Sequence, residues 1–211
     1  MDPREHEIAV INYGMGNLRS VTKALEAVGA RVRLVERPGE VEGAAGIVLP
    51  GVGAIGDCID ALNRSGLADT IREWIAADQP FLGVCLGLQA LFEASEEGGV
   101  RGLGIFPGQV IRFRSRDLKI PHMGWNDVVF RPAASPLTAE VSAGNGQFYF
   151  VHSYYVRPED PDLIAGETDY GGRFTSMIAR GRCFATQFHP EKSQQAGLAL
   201  YRGFVEMAKG A

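Results

Sequence analysis

A short apolar run that breaks into a glycine-flanked cysteine constrains this chain more than any other stretch. Phe81, Leu82 and Val84 have the pattern of a buried parallel strand. Gly83-Val-Cys-Leu-Gly87 then turns sharply, and Leu88, Leu91 and Phe92 resume at helical spacing. Small residues two before and two after a nucleophile let the backbone pass tightly from strand into helix. This predicts a Cys85 side chain at the carboxyl end of a strand and the amino end of a helix, where the helix dipole favours a thiolate. A buried cysteine in a glycine-lined turn has the same local pattern. What separates the two lies far downstream, in Gln187-Phe-His-Pro-Glu191.

Strand and helix patterns alternate through the first half. Ile8-Ala-Val-Ile11 is a short apolar strand ending in Asn12-Tyr-Gly-Met-Gly-Asn17. Leu18, Val21, Leu25 and Val28 mark one face of a helix that stops at Gly29. Val32–Val35 and Gly46–Pro50 read as further strands, and Ile71, Trp74 and Ile75 as a helix leading to Phe81. Short links in this rhythm predict an α/β fold, an open and mainly parallel twisted sheet flanked by helices. From Gly102 to about Tyr170 the pattern becomes strand-like and broken by Gly and Pro, at Gln109–Phe113, Gly124–Phe130, Phe148–Val151 and Ile164–Glu167. Antiparallel ribbons are expected there. Ser176–Ala179 and Cys183–Phe188 flank Arg180-Gly-Arg182 as a hairpin, and a last helix runs from an N-capping Ser193 to about Lys209.

Composition enters as exclusion. A chain of 211 residues buries a sizeable core, and one domain spanning 1–211 is expected. Its 21 basic and 25 acidic residues supply no general attraction for nucleic acid or an anionic membrane. There is no apolar stretch long enough to cross a bilayer, and Met1-Asp-Pro-Arg-Glu-His-Glu7 lacks the apolar centre of a signal peptide. Three cysteines without a C-x-x-C fit a reducing, cytoplasmic setting.

His189 and Glu191 are two apart with Pro190 between them, so both are expected to face one side of a strand end. A carboxylate beside an imidazole fixes its tautomer and stabilises the imidazolium, the orienting role in a Cys–His–acid triad. Both motifs fall at the carboxyl ends of predicted parallel strands, where open α/β sheets place their sites. Leu49-Pro-Gly-Val-Gly53 offers an oxyanion hole: Gly51 and Gly53 admit bare backbone, and an N–H there joins that of Leu86. An ordinary glycine-rich turn is the alternative.

Gly83-Val-Cys-Leu-Gly87 with Gln89, together with His189-Pro-Glu191, resembles the triad-type (class I) glutamine amidotransferases. Tyr13-Gly-Met-Gly-Asn17, Pro50-Gly-Val-Gly53, Pro121-His-Met-Gly-Trp-Asn126, Phe150-Val-His-Ser-Tyr154 and His189-Pro-Glu-Lys-Ser193 narrow the likeness to the glutaminase subunits of imidazole glycerol phosphate synthase. Most of the wider family carries Pro-Gly-Gly where this chain has Val52. The resemblance implies a flavodoxin-like fold and a catalytic Cys85, His189 and Glu191. It implies oxyanion donors at Leu86 and, after a peptide rotation, Val52 or Gly53. Glutamine would lie against Gly51, Gly53, Leu86, Gln89, His152, Ser153 and Tyr154, and ammonia would pass to a (β/α)₈-barrel cyclase partner meeting Asn17, Trp125 and Lys192. A subunit of another class I amidotransferase, for pyridoxal phosphate or anthranilate, and a stand-alone Cys–His hydrolase stay open as alternatives. β-Branched Val52 resists positive φ and hinders the rotation, which predicts low turnover until the occupied partner shifts the equilibrium.

The remaining candidates are weaker. Tyr13-Gly-Met-Gly-Asn17 lacks the third glycine of a dinucleotide fingerprint, since Arg19 stands there; Asn17 is expected to cap the next helix. His122 reads as core, His6 as solvated, Trp125 as an interface anchor. Arg112, Arg114 and Arg116 alternate along one predicted strand face, either a docking stripe or a solvated hairpin. His189-x-Glu191 has no third ligand at metal-site spacing, so neither metal nor cofactor is expected. Cys58 and Cys183 read as small apolar fillers.

Overall fold

The strands of the first half are short, five or six residues each, so this part of the sheet is assembled from brief parallel segments rather than long ribbons. The structure, a computed structural model, describes residues 7–114, 118–131, 137 and 146–210. Its first half runs β1 (Glu7–Ile11), α1 (Leu18–Ala27), β2 (Arg31–Val35), β3 (Gly46–Gly51), α2 (Ile55–Ser65), α3 (Leu67–Ala76), β4 (Phe81–Cys85) and α4 (Leu86–Gln89). There follow β5 (Phe92–Ser95), β6 (Phe106–Arg112), β7 (His122–Asp127), β8 (Val129–Phe130), β9 (Gln147–His152) and β10 (Tyr154–Pro158). The chain closes with β11 (Ile164–Asp169), β12 (Arg173–Arg180), β13 (Cys183–Thr186) and α5 (Gln194–Ala208).

An 11-stranded sheet orders these as β2-β1-β3-β4-β13-β12-β10-β6-β5, with β11 on β12 and β8 on β11. The run from β2 to β13 is parallel; β13–β12, β12–β10 and β10–β6 are antiparallel. The anticipated hairpin pairs Arg180 with Cys183 across Gly181, whose φ of +56° suits glycine. β7 and β9 form a separate two-stranded ribbon. Alternation along the strands divides the core in two: Ala9, Ile11, Ile47, Leu49 and Phe81 join α2, α3 and α4. Ile8, Val10, Val48, Leu82 and Val84 join α1 and α5 through Val21, Leu25, Leu200, Tyr201 and Phe204. Period-two burial on both faces is what a sheet covered on both sides requires.

The structure departs from the sequence reading at particular elements. The helical spacing of Leu88, Leu91 and Phe92 yields only the single turn α4, after which Phe92 opens β5 and packs on Phe106 of β6. α2 and β10 carried no separate expectation; α2's buried face, Ile55, Cys58, Ile59 and Leu62, is nonetheless at helical spacing. Asn17 makes no side-chain cap to α1, and Ser193 none to α5. Arg112 ends β6, Arg114 lies beyond it bonded to Glu96 at 2.9 Å, and Arg116 lies outside the described residues, as does His6. Of the two described arginines only Arg112 belongs to the strand.

Candidate active site

Cys85 closes β4 with φ +55° and ψ −102°. Such a backbone costs a non-glycine residue about 1–3 kcal/mol and persists only where the surroundings over-determine it. Glycines supply that determination. A Cβ on Gly87 would overlap the Leu49 carbonyl oxygen; one on Gly83 would sit 2.9 Å from the Gly87 backbone, and one on Gly51 2.6 Å from Leu86 Cβ. Backbone thus touches backbone between β3, β4 and the turn after Cys85. Because α4 is one turn long, the dipole expected to act on the sulfur is that of only four residues.

The imidazole arrives beside it from the next strand. β13 pairs in parallel with β4, Thr186 against Val84, and the chain continues through Gln187 to His189. His189 Nδ1–H donates to Glu191 Oε1 at 2.8 Å, with both side chains 1% exposed. They meet because Pro190–Lys192 is a 3-10 turn, rather than by lying on a strand end. β9 pins that turn: His189 N–H donates to Tyr149 O (2.9 Å), and Tyr149 N–H to Ser193 Oγ (3.0 Å). The Ser193 hydroxyl in turn donates to His189 O at 2.6 Å. Ser193 thus serves the triad turn and is unavailable as a cap.

His189 Nε2, the nitrogen left for catalysis, is buried without a hydrogen-bond partner and shares its cavity with Cys85. Burial works against charge on this imidazole. The Cys85 sulfur and then the Glu191 carboxylate outweigh burial and push it up from 6.5 to about 10, so His189 rests as an imidazolium at neutral pH. The second Glu191 oxygen is also unpartnered, and burial together with Glu191 raises the Tyr201 hydroxyl well above its ordinary value. Cys58 and Cys183, both buried in the core that α2, α3 and α4 cover, are pushed up to about 12 by burial and stay thiols.

Cys85, His189, Val52, Gly53, Leu86, Gln89, His152, Ser153 and Tyr154 line one cavity of about 390 Å³. Of the residues singled out from sequence as contacts, Gly51 stands behind the cavity, under Leu86 and the Tyr13 hydroxyl. Glu97, Pro121 and Val151 also line it. Glu97 gave no signal, since Glu96-Glu97-Gly-Gly reads as a solvated loop. Its Oε2 accepts from Ile55 N–H at the start of α2 (3.1 Å), which turns the carboxylate inward.

His122 and His152 form a buried pair. His152 Nδ1–H donates to the Tyr154 carbonyl (2.8 Å), leaving Nε2 to accept from His122 Nδ1–H (3.0 Å). His122 Nε2 then accepts from Asn126 Nδ2–H (3.3 Å). Both rings are neutral, His122 lowered to about 4 by burial. His152 is lowered to about 3 by burial, against the Tyr154 hydrogen bond, with the charge of His122 once that ring protonates, and that of His189, adding to the fall.

At the mouth, Trp125 is 47% and Met123 59% exposed on β7, opposite Tyr149 and Val151 of β9. Lys192 Nζ lies 5.7 Å over the Tyr149 ring. Asn17 ends the loop whose Met15 sulfur is the nearest neighbour of Gly53. Trp125 and Lys192 therefore share one face, with Asn17 in the loop near Gly53. Among the described residues no cluster of three or more His, Cys, Asp or Glu is placed to hold a metal. No helix among them is long and apolar enough to cross a membrane.

Comparison with known proteins bears on this site. Residues 9–207 match the family model of the class-I glutamine amidotransferases. The chain is 50% identical to the imidazole glycerol phosphate synthase subunit HisH of Aromatoleum aromaticum, over 96% of this chain and 99% of that one. It is 52% identical to the HisH subunit of Thermosynechococcus vestitus, over 96% and 97%. Among solved structures it resembles PurLQS from Thermotoga maritima, with a TM-score of 0.77 and 17% identity over 95% of this chain and 98% of that one. A crystal structure described as a glutamine amidotransferase aligns with a TM-score of 0.74 and 18% identity, covering 96% and 99%. These last two likenesses concern the fold.

Proposed function

Since the chain belongs to the class-I glutamine amidotransferases and, within them, to the HisH subunits of imidazole glycerol phosphate synthase, we propose that it hydrolyses glutamine in histidine biosynthesis and hands the ammonia to a cyclase subunit. The observation that carries the reading is the sulfur of Cys85 and the free Nε2 of His189 opening onto one cavity, with Nδ1 already committed to Glu191.

The chemistry follows from those positions. Cys85 Sγ attacks the side-chain amide carbon of glutamine, and the carbonyl oxygen becomes an oxyanion. The Leu86 N–H and one from Val52 or Gly53 receive that charge, Val52 after the peptide rotation expected from the sequence. His189, resting as the imidazolium, gives its Nε2 proton to the departing nitrogen; ammonia leaves and a glutamyl thioester remains. The neutral imidazole then takes a proton from water, whose oxygen attacks the thioester, and glutamate departs as the sulfur is released. Glu191 holds the ring throughout. Gln89, Ser153 and Tyr154 bound the substrate, and Glu97 presents a carboxylate to its α-ammonium group. Ammonia that never meets bulk water stays unprotonated and nucleophilic, which is why the product is best passed directly to a partner.

The partner is a (β/α)₈-barrel cyclase in a heterodimer. There ammonia converts the phosphoribulosyl formimino intermediate into imidazole glycerol phosphate and aminoimidazole carboxamide ribotide. It would seat on Met123, Trp125 and Lys192, with Asn17 in the neighbouring loop, in the cytoplasm. Exposed aromatic and apolar side chains beside the cavity support that seat. The test is product formation by the chain mixed with its cyclase, driven either by glutamine or by ammonium. Cys85→Ala should abolish only the glutamine-driven reaction; loss of both would make Cys85 architectural and end the reading.

A further inference from the structure

Gln187 has no place in the chemistry so far, yet it is fully buried one strand away from the nucleophile and touches it. Its Nε2–H donates to Cys85 Sγ at 3.6 Å, while its Oε1 accepts from Gln89 Nε2 at 3.1 Å. Gln89 Nε2 also donates to the Tyr154 carbonyl at 3.0 Å. A primary amide has two N–H donors on one nitrogen and none on its oxygen, and its two ends are distinguished only by their partners. Here a backbone carbonyl decides. Tyr154 O can only accept, so the Gln89 nitrogen must face it. Both Gln89 donors are then spent, on Tyr154 and Gln187, and Gln187 must present oxygen to Gln89 and nitrogen to sulfur.

The consequences run both ways along this chain. A hydrogen bond donated to sulfur holds its direction and stabilises it whenever it carries negative charge, as it does when the thioester breaks. Committing both Gln89 donors leaves Gln89 Oε1 as its free polar atom at the substrate cavity, a fixed acceptor for an N–H group of the substrate. We propose that Gln187 is a positioning residue for both groups: it aims the Cys85 sulfur and locks Gln89 with its oxygen toward the substrate.

Gln187→Met keeps length and apolar volume but removes donor and acceptor; Gln187→Glu keeps the acceptor for Gln89 and removes the donor to sulfur. Measured in the complex with the cyclase, which rests on the glutaminase reading above, Gln187→Met should lower kcat about tenfold or more and raise KM for glutamine several-fold. Gln187→Glu should lower kcat with KM near that of the parent. Unchanged constants in Gln187→Met overturn the proposal, and equal rises of KM in both variants overturn the lock on Gln89. Alkylation of Cys85 by chloroacetamide, followed by mass, needs no turnover; it should slow several-fold in both variants at matched thermal stability. Equal alkylation rates in parent and variants would remove the sulfur half of the proposal. A parent that alkylates normally but releases no ammonia from glutamine would count against the glutaminase reading, with the alkylation comparison still deciding on Gln187.

Discussion

The turn carrying Cys85 and the segment that follows β3 lie side by side, yet they are built in opposite ways. Around Cys85 every neighbouring backbone is in contact: a Cβ added at Gly51, Gly83 or Gly87 would meet another atom at 2.9 Å or less. Two residues past Gly51 the packing has run out. Val52 is 38% exposed, and a Cβ on Gly53, at φ +102°, would find nothing nearer than the Met15 sulfur at 3.9 Å. Under the proposed function, the Cys85 nucleophile is therefore fixed before substrate arrives, whereas the second oxyanion donor proposed at Val52 or Gly53 is held by little more than its own backbone preferences. Catalytic preorganisation is divided between a rigid half and an adjustable half, and a partner that completes the site need only act on the second.

The largest effects fall on the rigid half. Gly87→Ala drives a methyl into the Leu49 carbonyl, so it should cost about 3 kcal/mol of stability and abolish glutamine hydrolysis; denaturant titration and an ammonia assay read both. Gly53→Ala meets no such obstacle. Its penalty is the positive φ alone, about 1–2 kcal/mol, and it should reduce turnover more than stability. Equal stability losses in the two variants would erase the contrast. Next in size is Glu191→Gln. The Cys85 sulfur comes ahead of Glu191 among the groups that raise His189, so part of the imidazolium's support survives. A fall in kcat of about tenfold to a hundredfold is expected, the low end for an acid–base group.

The two halves also differ in how well the sequence announced them. Gly83, Gly87, His189 and Glu191 are legible because steric demands and titratable chemistry restrict which residues can stand there. The parallel character of β1 to β4 follows from the strand–helix rhythm in the same way, whereas the place of β13 beside β4 does not. The helical spacing of Leu88, Leu91 and Phe92 misled because a buried strand and a buried helix turn are both simply apolar there. Ser193 misled because capping is a local rule, and tertiary partners can claim the same hydroxyl, as Tyr149 and His189 do; nothing in the structure explains why Asn17 makes no cap. Gln187 and Glu97 were invisible for a different reason: their roles depend on contacts that span the chain, and no local pattern encodes those.

A smaller effect probes the adjustable half directly. Val52 keeps φ negative, whereas rotation of its peptide toward the cavity asks a β-branched residue to enter the region it most resists. Val52→Gly removes that resistance, and with it about 1–2 kcal/mol, so turnover without the partner should rise by about fivefold to thirtyfold. Stimulation by the partner should shrink by the same factor, while alkylation of Cys85 stays unchanged. A rise in alkylation would mean that the two halves are mechanically coupled after all.

The smallest effect concerns the histidine pair beneath the mouth. Both rings are lowered by burial, to about 4 and about 3, from an ordinary 6.5. Below 6.5 the unfolded chain takes up protons that the folded chain refuses, so stability is full above 6.5 and falls as pH descends toward those values. His189, held protonated, works against charge on His152, and the Tyr170 ring stacks on His122 at 4.0 Å. Urea midpoints should decline between pH 6.5 and 4.5, and less steeply in His122→Leu, whose side chain takes no proton. His122 bonds to His152, and His152 to the carbonyl that orients Gln89, so the same acid range should raise KM for glutamine in the parent. If the midpoints of parent and variant fell in parallel, the pair would not be what makes the adjustable side of the cavity sensitive to acid.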